Sequence, residues 1–206
     1  MTTQSTTSPA SGSVLKRGFT DPVFEAQASF RAALLSTAYP GRIVNLNQTL
    51  VPPQPLCSAT AALCLTLLDF ETPTWLDRQA ASPEAVGWLG FHCGLPIIEE
   101  TRTAQFAVIT DATNLPRLFE FDSGNIEYPD RSTTLIVQVP SLENGPVTSW
   151  TGPGIKTRAA VGVAGLPSWF WSDWDLNKEL YPRGIDVVFT SGSALIGLPR
   201  TIEVEA

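Results

Sequence analysis

Helix-like and strand-like segments alternate through the first half of the chain, and hairpin signals take over in the second. A strand that is apolar throughout must be covered on both faces, and a helix with one apolar stripe must bury that stripe. A sheet with helices packed on it satisfies both demands. The pattern therefore predicts an α/β architecture, a three-layer mixed sheet with helices on both faces.

The helices declare themselves through their caps. "FTDPVFEAQASFRAALLSTAYPG" has Asp21 as a cap and Pro22 at the first helical position, and Pro40-Gly41 closes it. Val23, Ala26, Phe30 and Leu34 recur at helical spacing and predict its buried face. Gln27 lies on that face and Arg31 follows one turn later, so both call for partners. "CSATAALCLTLLDFETP" is apolar almost all round and reads as a buried helix. Ser82-Pro83 opens a third helix in "SPEAVGWLGFHC". "WFWSDWDLNKEL" predicts a fourth, with Phe170, Trp174 and Asn177 on one face. Trp169, Trp171 and Trp174 point different ways round that helix, so the trio reads as interface packing.

The strands are "GRIVNL", "TPTWL", "AQFAVIT", "STTLIVQVP", "VTSWT", "KTRAAVGV", "GIDVVFT" and "ALIGLP". "SLENGP" is turn chemistry, so "VTSWT" is expected to return antiparallel to "STTLIVQVP". "NLPRLFEFDSGN" reads as a short helix or turn followed by a loop, and "RTIEVEA" as a polar tail.

Composition narrows the function classes. A chain of 206 residues suits one domain, expected over residues 15–206. The Ser/Thr-rich stretch 1–14 lacks the apolar centre of a signal peptide and reads as a disordered tail. The net charge is −7 with no dense Lys/Arg run, which argues against nucleic acid as a partner. No apolar run is long enough for a membrane helix. Cys57, Cys64 and Cys93 are odd in number and lack C-x-x-C spacing, and His92 is the single histidine. Neither a disulfide framework nor a metal site is expected, and reduced thiols fit a cytoplasmic protein.

Four features carry possible chemistry. "TGPGIKT", from Thr151 to Thr157, resembles a phosphate loop, but Ile155 stands where the second glycine should precede Lys156, and strand-like sequence follows it. It is expected to be a turn leaving a hairpin, whose glycine N–H groups could still form an anion nest. Lys156 could hold pyridoxal phosphate only in a desolvated pocket, and a surface lysine is the plainer reading. His92, at a helix end without a Ser or Asp neighbour to complete a triad, reads as a capping or packing residue. Asp186 enters an apolar strand and is expected either at a solvated strand end or paired with Arg31, Arg183 or Arg200.

The ordered set "DPVFEAQASFRAAL", "YPG", "TPTWL", "GFHCG", "AQFAV", "STTLIVQV", "TGPGI", "YPRGIDVVFT" and "LPRT" resembles the PhnH family, the H subunit of the carbon–phosphorus lyase core complex. The likeness runs from about Gly18 to Thr201. The chain departs from it after "PRT", where a histidine would be expected and "IEVEA" follows. The resemblance implies a fold like that of pyridoxal-phosphate-dependent transferases without the cofactor site, and no cofactor. It implies homodimers in isolation and a complex with the G, I and J subunits. That complex joins a phosphonate such as methylphosphonate to the ribose of ATP, displacing adenine and giving ribose 1-phosphonate 5-triphosphate. The H subunit would be an accessory, with the transfer chemistry on the I subunit and no established catalytic residue of its own. The polar residues inside the matching segments, Gln27, Arg31, His92, Thr151, Arg183, Asp186 and Arg200, are the candidate ligand-binding set. The alternative is a free-standing α/β enzyme using pyridoxal phosphate at Lys156.

Overall fold

The computed structural model describes residues 15–47 and 49–206. The tail expected over residues 1–14 lies outside the described residues. Among the described residues there are four α-helices: α1 (Pro22–Ala38), α2 (Ser58–Leu67), α3 (Pro83–Cys93) and α4 (Phe170–Glu179). The strands are β1 (Val44–Asn45), β2 (Thr74–Leu76), β3 (Ile97–Ile98), β4 (Phe106–Ile109), β5 (Thr134–Gln138), β6 (Thr148–Thr151), β7 (Ala159–Val161), β8 (Asp186–Ser191), β9 (Ala194–Leu198) and β10 (Glu203–Glu205). Asp21 and Ser82 cap α1 and α3 as expected, accepting from the N–H groups of Phe24 and Ala85.

Seven strands form one mixed sheet in the order β1-β9-β8-β5-β4-β2-β3. From β8 to β3 the neighbours run parallel, while β8–β9 and β9–β1 are antiparallel. Successive side chains on a strand point to opposite faces, and the two cores divide accordingly. Ala107, Ile109, Leu135, Val137, Val187 and Phe189 pack on one side with Phe170, Trp174 and Trp150. Val108, Ile136, Val188 and Leu195 pack on the other with residues of α1, α2 and α3. Helices thus cover both faces, α4 sharing its face with a second sheet of order β10-β6-β7.

Four expectations need correction. "VTSWT" does not return along "STTLIVQVP". Both edges of β5 are taken by β4 and β8, so β6 pairs instead with β7 and β10. The polar tail "RTIEVEA" contains β10, held in register by Val204 opposite Trp150. The tryptophan trio does share one core: Trp174 is wholly buried and donates its Nε1–H to the Ile202 carbonyl at 3.0 Å, and the half-buried Trp169 and Trp171 pack on the same core.

The fourth correction concerns α1. Its expected buried face points outward, with Val23 75%, Phe30 47% and Leu34 53% exposed. Ser29, Ala32 and Ser36 face inward instead. The cause lies in β9, where Gly197 sits so close that an added Cβ would be 2.6 Å from the Ser36 carbonyl oxygen. Only small side chains let the helix backbone come that near, so the bulky stripe is left facing out.

Candidate functional site

The Asp186–Arg200 pair is the most heavily bonded polar node among the candidates. Asp186 opens β8 and Arg200 follows β9, so the β8–β9 hairpin brings them together. The Asp186 carboxylate accepts from the Arg200 backbone N–H at 2.8 Å, from Nε at 3.1 Å, and from Nη2. Arg200 also donates through Nη1 to the Pro129 carbonyl at 2.7 Å and through Nη2 to Ser132 Oγ at 2.6 Å. Of the three arginines weighed as partners, Arg200 takes the role. All five guanidinium donors have nearby acceptors in the fold itself, so the group is committed to clamping residues 129–132 rather than to an outside ligand. Arg183 sits in the adjoining turn, its backbone N–H bonded to the Leu180 carbonyl at 3.0 Å.

Thr151 ends β6, opposite Glu203 of β10. The turn that follows is part of a β6–β7 hairpin, and its glycines mark close approaches. Gly154 has φ +86°, and a Cβ there would lie 2.2 Å from the Ala38 carbonyl oxygen at the end of α1. Gly152 has φ +139°, with the Thr201 carbonyl oxygen 3.1 Å from such a Cβ. "TGPGI" is therefore a joint between the end of α1 and the segment after Arg200. Lys156 lies exposed on this turn. That is the opposite of the desolvated setting that a Schiff-base lysine needs, and it weighs against the pyridoxal-phosphate alternative.

Gln27 and Arg31 are exposed on the outward face of α1. His92, in the last turn of α3, has Nε2 3.1 Å from the Lys16 carbonyl, and its ring packs at a tilt against Trp88 and edge-on against Phe91, with centroids 4.9 and 5.0 Å away. This is the packing role its position predicted. The seven candidates thus fall at separate places: α1, the end of α3, the β6–β7 joint and the Asp186–Arg200 node.

A sizeable cavity lies elsewhere. About 610 Å³ opens between α4 and the 3₁₀ turn Leu118–Glu120, lined by Arg102, Phe119, Asp122, Asp173, Leu176 and Leu180 among others. None of the seven candidates borders it. Asp173, buried in the first turn of α4, is gripped by Arg117 through Nε at 2.8 Å and through Nη2, and accepts the Leu118 N–H at 3.1 Å. The Arg117 hydrogen bond holds the Asp173 carboxyl below its usual range, and the Leu118 N–H adds to this. Arg117 in turn lies 4.8 Å above the Trp169 ring. The sequence held one partial signal for this region: Leu176 lies off the Phe170–Trp174 stripe of α4, and Leu180 follows four residues later just past the helix end. Among the described residues no group of three or more His, Cys, Asp or Glu side chains is placed to hold a metal ion, and no helix is long and apolar enough to cross a membrane.

Residues 17–205 match the family of bacterial phosphonate metabolism proteins called PhnH. The chain belongs to the PhnH family. It is 40% identical over 196 residues to the alpha-D-ribose 1-methylphosphonate 5-triphosphate synthase subunit PhnH of Rhizobium meliloti (strain 1021), covering 95% of this chain and 98% of the relative. It is 29% identical over 184 residues to HtxG of Stutzerimonas stutzeri, provisionally named a C-P lyase subunit protein, covering 86% of this chain and 85% of the relative. The segments that carried the PhnH likeness in the sequence therefore have structural roles in this chain. "TGPGI", "YPG" and "LPRT" meet at the joint beside α1, and "GIDVVFT" supplies the Asp186 that Arg200 binds.

Proposed function

We propose that this PhnH-family chain is an accessory subunit of a carbon–phosphorus lyase core complex. It acts with G, I and J subunits where ribose 1-methylphosphonate 5-triphosphate is formed from ATP and methylphosphonate. The near-full-length likeness to a subunit of that synthase carries the reading. The outward apolar face of α1 supports it, because a helix that turns Val23, Phe30 and Leu34 to solvent has the surface that subunit contacts use. We place the complex in the cytoplasm, with the isolated chain as a homodimer. We also propose that the architecture is that of pyridoxal-phosphate-dependent transferases without the cofactor site, a reading supported by the exposed position of Lys156.

Reconstitution tests this. The chain is co-expressed with G, I and J subunits of a carbon–phosphorus lyase, and adenine release from ATP plus methylphosphonate is followed. Co-purification, and adenine release only when the chain is present, is the expected result. Equal release without the chain, or no co-purification, would overturn the proposal.

A further inference from the structure

A second cavity of about 560 Å³ adjoins the first, and Arg102 lines both. The two meet at Arg102 and lie along one surface, a trough running from Trp75 past the 3₁₀ turn to Leu180. Two properties describe its surface. The first is exposed apolar bulk: Phe119 is 62% exposed, Leu176 58% and Leu180 36%. The second is unspent negative charge. Glu99, Glu100 and Glu179 line the trough, and among the described residues their carboxylates have no hydrogen bond or ion pair. Asp173 is neutralised by Arg117, whose guanidinium also lies 5.4 Å from the Phe119 ring, and among the described residues Arg102 is the one cation that lines both cavities.

We infer that this trough docks a polypeptide segment of another protein, one that carries arginine or lysine together with leucine or aromatic side chains. Like charge along the rim repels phosphate- and phosphonate-bearing small molecules. A basic residue seated against Glu100 or Glu179 gains charge complementarity at the rim, while its apolar neighbours cover Phe119 and Leu176. This inference stands apart from the complex assignment, since it rests only on the trough.

The test uses the full chain labelled with ¹⁵N and titrated with a short amidated peptide of alternating arginine and leucine or phenylalanine. Parallel titrations use the same peptide with glutamate for arginine, and spermine as a small cation. Saturable binding with shifts confined to residues 99–102, 118–123 and 173–180 is expected. Glu100→Lys combined with Glu179→Lys, and separately Leu176→Ser, should each weaken binding at least about tenfold. Glu71→Lys combined with Glu84→Lys, on exposed carboxylates away from the trough, should leave binding unchanged. Each groove variant is first checked for a native spectrum. Absent or non-saturable binding overturns the inference, as do shifts on α1 instead of the trough, equal binding of spermine, and equal loss in the Glu71/Glu84 control.

Discussion

Asp186 and Arg200 stand fourteen positions apart in sequence and meet through both the backbone and the side chain of the arginine. The pair joins the first residue of β8 to the segment after β9, and Arg200 reaches on to Pro129 and Ser132. Removing the guanidinium leaves the partly buried carboxylate with only the backbone N–H of residue 200, and leaves the Pro129 and Ser132 acceptors without that donor. Arg200→Ala is therefore expected to destabilise the fold by about 2–4 kcal/mol in urea unfolding. Asp186→Asn should cost less, because an amide oxygen still accepts the Arg200 N–H. Lys156→Ala should fall within about 0.5 kcal/mol of the parent.

Gly154 and Gly192 both have positive φ, at +86° and +56°, but only Gly154 is crowded. An alanine at Gly192 meets no atom within 4 Å and is expected to cost about 1–2 kcal/mol for the left-handed backbone alone. An alanine at Gly154 must also push the end of α1 away, so its loss should be larger, about 3 kcal/mol or more. Equal losses in thermal unfolding would mean that the turn is not a joint.

The carboxyls of Asp173 and Asp111 titrate below the ordinary 3.8 in the folded chain, chiefly through hydrogen bonds from Arg117 to the first and from Thr113 and Asn114 to the second. A lowered folded pKa means that the unfolded chain takes up the proton first. Their contribution is complete above the ordinary value and drains away as pH falls through the lower folded value. The Tm of the parent should therefore fall steeply below about pH 4, and Asp173→Asn should have a shallower acid limb.

Burial raises the Cys93 thiol to about 12, and the Cys64 thiol is raised as well. Both should resist iodoacetamide at pH 8 in the folded chain and react on denaturation, since the thiolate is the reactive form. Mass spectrometry of the alkylated peptides reads the result.

On the outward face of α1, Phe30→Ser and Leu34→Ser should change unfolding stability by no more than about 0.5 kcal/mol, as for other surface positions. They should nonetheless weaken self-association or capture by partner subunits, seen by sedimentation. Ala32→Leu, on the inward face, should cost about 1–3 kcal/mol by overpacking against the sheet.

Local chemistry was legible in the sequence wherever one segment decides its own fate. Asp21-Pro22 and Ser82-Pro83 mark helix starts by satisfying N–H groups that any helix leaves open. "STTLIVQVP" and "GIDVVFT" are strands because apolar β-branched runs need cover on both faces. What failed depended on distant neighbours. The orientation of α1 is set by Gly197, more than 150 residues away, which admits Ser36 and turns Phe30 outward. "VTSWT" has a good turn before it, yet the edge it would have joined belongs to β8. The arginine partner of Asp186 was within reach because the hairpin is local. The trough was not, because Glu99, Phe119 and Leu176 come from three separate stretches.

Thr134 of β5 lies beside Asp186 of β8, with β6, β7 and α4 intervening in the chain. In kinetic terms the central ladder cannot be completed until a loop of roughly fifty residues has closed, and loop-closure entropy falls due before the contacts that reward it. Folding should therefore be slow for the chain's size, with a late transition state in which the β5 edge has just been occupied. Until then that edge is open to any other strand, including the β5 of a second molecule. The refolding yield should accordingly fall as protein concentration rises.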